Sequence, residues 1–100
     1  MRVVVSARAA LDLEEIGDFI AGDSLARAAA FIDALSQRCE SPARHPFKGR
    51  LAPEIGPGAR INVLGRHLVP YQVVGDTISI ERVVHGARDR TGLLDDPSES

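Results

Sequence analysis

Toward its C-terminal end the chain reads "ISIERVVHGARD" (residues 78–89), which gathers Glu81, Arg82, His85, Arg88 and Asp89 around Gly86. A carboxylate and an imidazole four residues apart can serve as general base and general acid. Guanidinium groups beside them can hold anionic charge as it develops. The same residue types also build a structural corner, with Arg82 ion-paired to a helix carboxylate and His85 hydrogen-bonded at a strand end. Cys39 is the single cysteine, so neither an internal disulfide nor a cysteine-based zinc site is expected. No metal and no organic cofactor is expected. Which role the cluster takes depends on the elements that carry it.

The chain has 100 residues, enough for one domain with a modest core; residues 1–94 are read as that domain. The ending "DDPSES" (95–100) is read as a disordered acidic tail. The opening "MRVVVSARAALDLEEI" carries carboxylates early and no long apolar run, which argues against a secretory leader. No stretch approaches the roughly 20 apolar residues of a membrane span, so no membrane association and a cytoplasmic location are expected. The net charge of −2 hides an asymmetry. Residues 1–40 hold 4 Lys/Arg against 7 Asp/Glu, whereas residues 41–94 hold 8 against 4. The basic half could meet an acidic partner. A pI near 5.9 argues against direct nucleic-acid binding.

"RVVV" (2–5) reads as a strand, and Ser6 can cap the helix that follows. Ala9, Leu13, Ile16 and Ile20 form its apolar stripe, with Asp12, Glu14, Glu15 and Asp18 on the wet face. "AGDS" ends it, and Asp23 or Ser24 caps a second helix with the stripe Ala28, Ile32, Leu35 and Cys39. Pro42 and Pro46 forbid its continuation. "SPARHPFKGRLAPEIGPG" (41–58), with four prolines and three glycines, reads as a long loop.

"ARINVL", "HLVPYQVV" and "TISIERVVH" read as three strands. Gly75-Asp76 fits a two-residue hairpin turn with glycine first. That turn sets Val73 against Ile78, Tyr71 against Ile80, Val69 against Arg82 and His67 against Val84 on a covered face. Gln72 with Ser79, Pro70 with Glu81, and Leu68 with Val83 fall on the other. For the preceding turn a three-residue loop, Gly65-Arg66-His67, is expected, because it sends Ile61 and Val63 to the covered face. The expected class is α+β, in the order β-α-α-β-β-β. A helical hairpin packs on one face of a small, mainly antiparallel sheet, and Arg60, Asn62, Gln72, Ser79, Glu81 and His85 line the open face.

"ARAALDLEEIGDFIA", "AAAFIDAL" and "HPFKGRLAPEIGPGARINVLGRHLVPYQVVGDTISIERVVHGARD" resemble the ParE branch of the ParE/RelE toxins, over roughly residues 3 to 90. These are the toxin halves of bacterial type II toxin–antitoxin pairs. The resemblance implies the β-α-α-β-β-β fold and a hetero-oligomer with a cognate antitoxin whose C-terminal segment wraps the toxin. For ParE-like members it implies poisoning of DNA gyrase, and for RelE-like members cleavage of mRNA.

RNA cleavage without a metal would use Glu81 and His85 with Arg60 and Arg88. Lys48 is the only lysine and lies in the loop, so the charge supply favours binding over cleavage, and no catalytic residue is favoured. The expected antitoxin surface takes in Ala26, Ala29 and Ala30, small residues that could instead let the helices pack closely, with Arg60, Gln72 and Ser79. The expected target surface is the sheet end and C-terminal segment: Arg82, His85, Arg88, Leu93 and Leu94. The plain structural roles pair Arg82 with Asp12 or Glu15, and Arg50 with loop carbonyls or a carboxylate. Tyr71 is expected to pack on the helices with its hydroxyl at the rim, and His45 and His67 to be ordinary surface histidines. A family member that binds its antitoxin but poisons nothing is a further possibility.

Overall fold

Ser6 marks the point where strand becomes helix in the computed structural model, which describes residues 1–86. Its backbone is extended, its hydroxyl oxygen accepts from Ala9 N, and its hydroxyl donates to the carbonyl of Glu81 at 2.9 Å. It therefore ends β1 (Arg2–Val5), caps α1 (Ala7–Ala21) and ties both to the far end of the sheet. Ser24, rather than Asp23, caps α2 (Leu25–Glu40) by accepting from Arg27 N. A 3₁₀ turn at Ser41–Ala43, with Pro42 inside it, stops α2. Ala9, Ala28, Leu35 and Cys39 are buried, with Leu13, Ile16 and Ile32 packed against them. The two helices approach closely where a Cβ on Gly17 would sit 3.2 Å from Ile32 Cγ1. Ala26, Ala29 and Ala30 are exposed and do not make that contact. Asp12, expected on the wet face, points inward and is only 4% exposed.

The remaining strands are β2 (Arg50–Leu51), β3 (Arg60–Leu64), β4 (His67–Val74), β5 (Thr77–Ile80) and β6 (Val84–His85). They and β1 form one mixed, mostly antiparallel sheet in the order β1-β5-β4-β3-β2, with β6 also on β4. β1 is parallel to β5, a pairing made possible by the helical hairpin that crosses between them. The α+β class and the order strand, two helices, strands hold, with β2 and β6 added. Val69, Tyr71, Ile78 and Ile80 form the helix-facing side of the core.

The Gly75-Asp76 turn and its register are as expected: Val74 pairs with Thr77, Val73 with Ile78, and Tyr71 with Ile80. Gly75 has φ +62°, the left-handed value the first position of such a turn requires. Two other registers differ from expectation. The β3–β4 turn is a two-residue turn at Gly65-Arg66, with Leu64 opposite His67 and Gly65 at φ +58°. Arg60 and Asn62 consequently lie on the helix side, opposite Tyr71 and Val69, and Ile61 and Val63 on the other face. On the other flank of β4, Tyr71 pairs with Ile80 but Leu68 pairs with Val84 and His67 with His85. Three residues, Glu81 to Val83, therefore span two residues of β4. This one-residue bulge turns His85 to the helix side and gives Val83 a place in the core.

The long loop is ordered by the helix-side polar residues. Tyr71 is 1% exposed rather than at the rim; its hydroxyl donates to Pro46 O and accepts from Gly49 N. Arg60 donates to the carbonyls of Phe47 and Gly49, and Asn62 donates to Arg38 O at the end of α2 and to Ser41 Oγ. Among the described residues, no helix is long and apolar enough to cross a membrane.

Two outcomes follow. A methyl at Gly49 would lie 2.9 Å from Tyr71 Cε1 and 3.0 Å from the carbonyl of Ile61. Gly49→Ala is expected to destabilise the fold by about 2 kcal/mol through overpacking, read from urea denaturation at unchanged m-value. Burial pushes the Cys39 thiol up from 9.0 to about 11, with Glu40 adding in the same direction. Its contribution to stability is complete below pH 9.0 and lost as pH rises through about 11. The loss should be visible in denaturation midpoints across that interval and smaller in Cys39→Ala.

Candidate functional site

Asp12 is the only buried charged residue among those described, and its carboxylate is surrounded by donors. Arg82 binds it with two nitrogens, Nε at 2.9 Å and Nη2 at 3.2 Å. The backbone N–H of Val83 donates to the same carboxylate at 2.9 Å, and Arg8, one helical turn earlier, reaches it at 3.1 Å. A carboxylate held this way repays its loss of water only because each lone pair finds a donor. The Val83 N–H, displaced from the ladder by the bulge, would otherwise be buried without a partner. Asp12 is thus the helix carboxylate that Arg82 required, while Glu15 meets Arg8 at 3.9 Å.

The expected constellation is only partly assembled. Glu81 lies on the face away from the helices, accepts from the Ser79 hydroxyl at 3.1 Å, and shares a hollow with Ile55, Pro70 and Gln72. His85 lies on the helix side, its ring 5.1 Å from that of His67, which in turn meets Phe31 edge-on at 5.1 Å. Glu81 and His85 therefore do not share a face. Arg60 is on the helix side too, bound to loop carbonyls, with Phe47 under its guanidinium at 5.2 Å. Gln72 and Ser79 remain on the open face as expected, Gln72 donating to Pro57 O. Arg50 pairs loosely with Glu54 at 3.9 Å. Arg88, Asp89, Leu93, Leu94 and the acidic tail lie outside the described residues.

Besides the hollow at Glu81, of about 340 Å³, two concave surfaces lie beside the helices. A cavity of about 630 Å³ runs beside α1, lined by Ile16, Phe19 and Ile20 on one wall and by Arg82, His67 and His85 on the other. Phe19 is 74% exposed at its mouth. A second, of about 330 Å³, sits at the C-terminal end of α2. Among the described residues no three His, Cys, Asp or Glu side chains gather as a metal site. His67, expected to be an ordinary surface residue, instead lines the α1 cavity and packs between Phe31 and His85, a placement that the sequence reading missed. The signal was available: Gly65, like Gly75, stands first in a two-residue turn, and that turn puts His67 in β4 on the helix side.

A helical hairpin over one face of a mixed sheet, with apolar and cationic hollows at its margins, defines a small α+β protein. The model of the family described as ParE toxin of type II toxin-antitoxin system, parDE, matches residues 3–90, and the chain belongs to that family. A solved structure titled "Chromosomal ParDE TA system from P. aeruginosa" shares the fold at TM-score 0.70 and 24% identity, over 85% of this chain and 95% of that one. No curated protein matches. The chain is accordingly a ParDE-type toxin, and family membership implies an antitoxin partner in a hetero-complex.

Asp12 and Arg82 should behave unequally on substitution. Asp12→Ala leaves the buried Val83 N–H without its acceptor and removes the carboxylate that Arg8 and Arg82 share, and is expected to destabilise by about 3 kcal/mol. Arg82→Ala leaves Arg8 and the Val83 N–H on the carboxylate and should cost about 1 kcal/mol, in line with its partly exposed side chain. Chemical denaturation of both variants checks the order.

Proposed function

We propose that this toxin acts in the cytoplasm by binding DNA gyrase, without cutting RNA, and is neutralised by a cognate antitoxin. The observation that carries the preference is the separation of Glu81 from His85. A base and an acid working on one phosphodiester must both reach it, within hydrogen-bond distance of the hydroxyl and the leaving oxygen. Here the bulge puts a sheet between them. The arginines on the helix side are also engaged, Arg60 with carbonyls and Arg82 with Asp12.

The antitoxin is inferred to wrap from the exposed Ala26, Ala29 and Ala30 on α2 to the open face at Gln72 and Ser79. The small side chains let a partner helix approach closely. Arg60 contributes by fixing the loop at Phe47 and Gly49. The gyrase surface is inferred to be the sheet end, where His85 and Arg82 border the α1 cavity, continued by Arg88, Leu93 and Leu94.

Purified toxin is expected to inhibit gyrase supercoiling at the concentrations that arrest growth. Glu81→Gln should leave that inhibition and the growth arrest unchanged, with translated mRNA intact. If wild-type toxin instead cuts translated mRNA and Glu81→Gln abolishes the cut, the ribonuclease alternative holds and the gyrase proposal fails.

A further inference from the structure

The cavity at the C-terminal end of α2 is lined by Arg38, Arg44, His45 and Lys48, with Asn62 and Tyr71 at its inner wall and no carboxylate. Among the described residues, Arg44 and Lys48 form no ion pair; the pairs present involve Arg8, Arg50 and Arg82. Arg38 is held beside the cavity by donating to Val63 O at 2.7 Å. A helix C-terminus ordinarily disfavours an anion. Here Asn62 donates to Arg38 O and the Ser41 N–H to Gln37 O, so two of the last-turn carbonyls are satisfied, and the cationic side chains outweigh the partial charge that remains. Three permanent positive charges then face one hollow. Next to it, Phe47 is 66% exposed and Leu51 on the edge strand β2 is 55% exposed.

We infer that this cavity is the anchor for the carboxylates of an acidic, amphipathic segment of a protein partner, with Phe47 and Leu51 receiving its apolar side chains. The inference rests on the toxin–antitoxin assignment for the identity of the natural partner, the antitoxin; the binding itself is a property of the surface. The cations fix the sign of the ligand, and the aliphatic Leu51 beside Phe47 favours a ligand that carries apolar side chains next to its carboxylates. A nucleic acid would present phosphates well beyond the cavity. There it would meet a chain of net charge −2, whose residues 1–40 hold 7 Asp/Glu against 4 Lys/Arg. A short acidic segment answers to the local charge within about a Debye length, roughly 8 Å at physiological salt.

The test titrates the full chain with two fluorescent probes: an amphipathic helical peptide of Glu, Leu and Ala, and a single-stranded DNA of matched length. Wild-type chain is expected to bind the peptide with a salt-sensitive affinity and the DNA weakly or not at all. Arg44→Glu with Lys48→Glu should weaken peptide binding about ten-fold or more at unchanged melting temperature. Arg44→Gln with Lys48→Gln, which introduces no repulsion, should fall between. Equal peptide binding by wild type and both variants would overturn the inference. So would absence of peptide binding, or DNA binding that the same substitutions abolish. Because the readout is binding in vitro, it is separate from growth arrest: a chain that binds the peptide but arrests nothing refutes toxicity and not the anchor.

Discussion

Four nitrogen donors converge on the Asp12 carboxylate, and the geometry of the sheet's far end depends on them. A carboxylate this deeply withdrawn from water is tolerable only with its charge matched and its lone pairs filled. Arg82 supplies the charge, and the displaced Val83 N–H supplies a donor that only a broken ladder makes available. The bulge and the buried acid therefore stabilise each other. Ser6 closes the same junction from the other side, linking its own backbone N–H to Ile80 O and its hydroxyl to Glu81 O. One ion pair thus sets how the sheet meets α1, and through the bulge it decides that His85 faces the helices while Glu81 faces away.

A second polar cluster does for the long loop what Asp12 does for the bulge. Loops rich in proline and glycine have few backbone hydrogen bonds of their own, so their order must be imposed from outside. Tyr71 reaches Pro46 and Gly49, Arg60 reaches Phe47 and Gly49, and Asn62 reaches the end of α2. All three come from neighbouring positions on the helix side of β3 and β4. Holding Phe47 and Lys48 in place, they also shape the cationic hollow. The order of that surface is inherited from the core, together with a loop position, Gly49, that leaves room for the Tyr71 ring.

Much of this architecture was legible in the residues, and the parts that were not share a cause. Ser6, the two apolar stripes, the proline stop after α2 and the Gly75-Asp76 register each rest on a local signal of one or two residues. The errors arose where hydrophobicity was allowed to overrule turn chemistry. Sending Ile61 and Val63 to the covered face required a longer turn than Gly65-Arg66 makes. The covered face in fact takes Arg60 and Asn62, because the carbonyls that need them lie there. The bulge left no local mark at all: the carboxylate that stabilises it, Asp12, lies seventy residues away in sequence from Arg82. Arg82 at an apolar position was the one hint, and it pointed correctly to a helix carboxylate. Applied consistently, it would have moved Asp12 off the wet face and His85 off the open one.

The distribution of arginines makes the final step. Arg60 on β3 and Arg82 in the bulge give donors to loop carbonyls and to Asp12, which fixes the orientation of both guanidinium groups. Arg38, Arg44 and Lys48, which pair with no carboxylate among the described residues, stand together at the end of α2, around a hollow to which neither Glu81 nor His85 belongs. Catalysis on a phosphodiester would need the cations and the acid–base pair in one place. Among the described residues, Glu81 and His85 lie on opposite faces, and the cationic hollow at the end of α2 includes neither. Recognition has no such requirement, since charged and apolar contacts can be spread over a surface and joined by a partner that wraps it. The same separation that weakens the case for cleavage suits a toxin held at several places by one antitoxin.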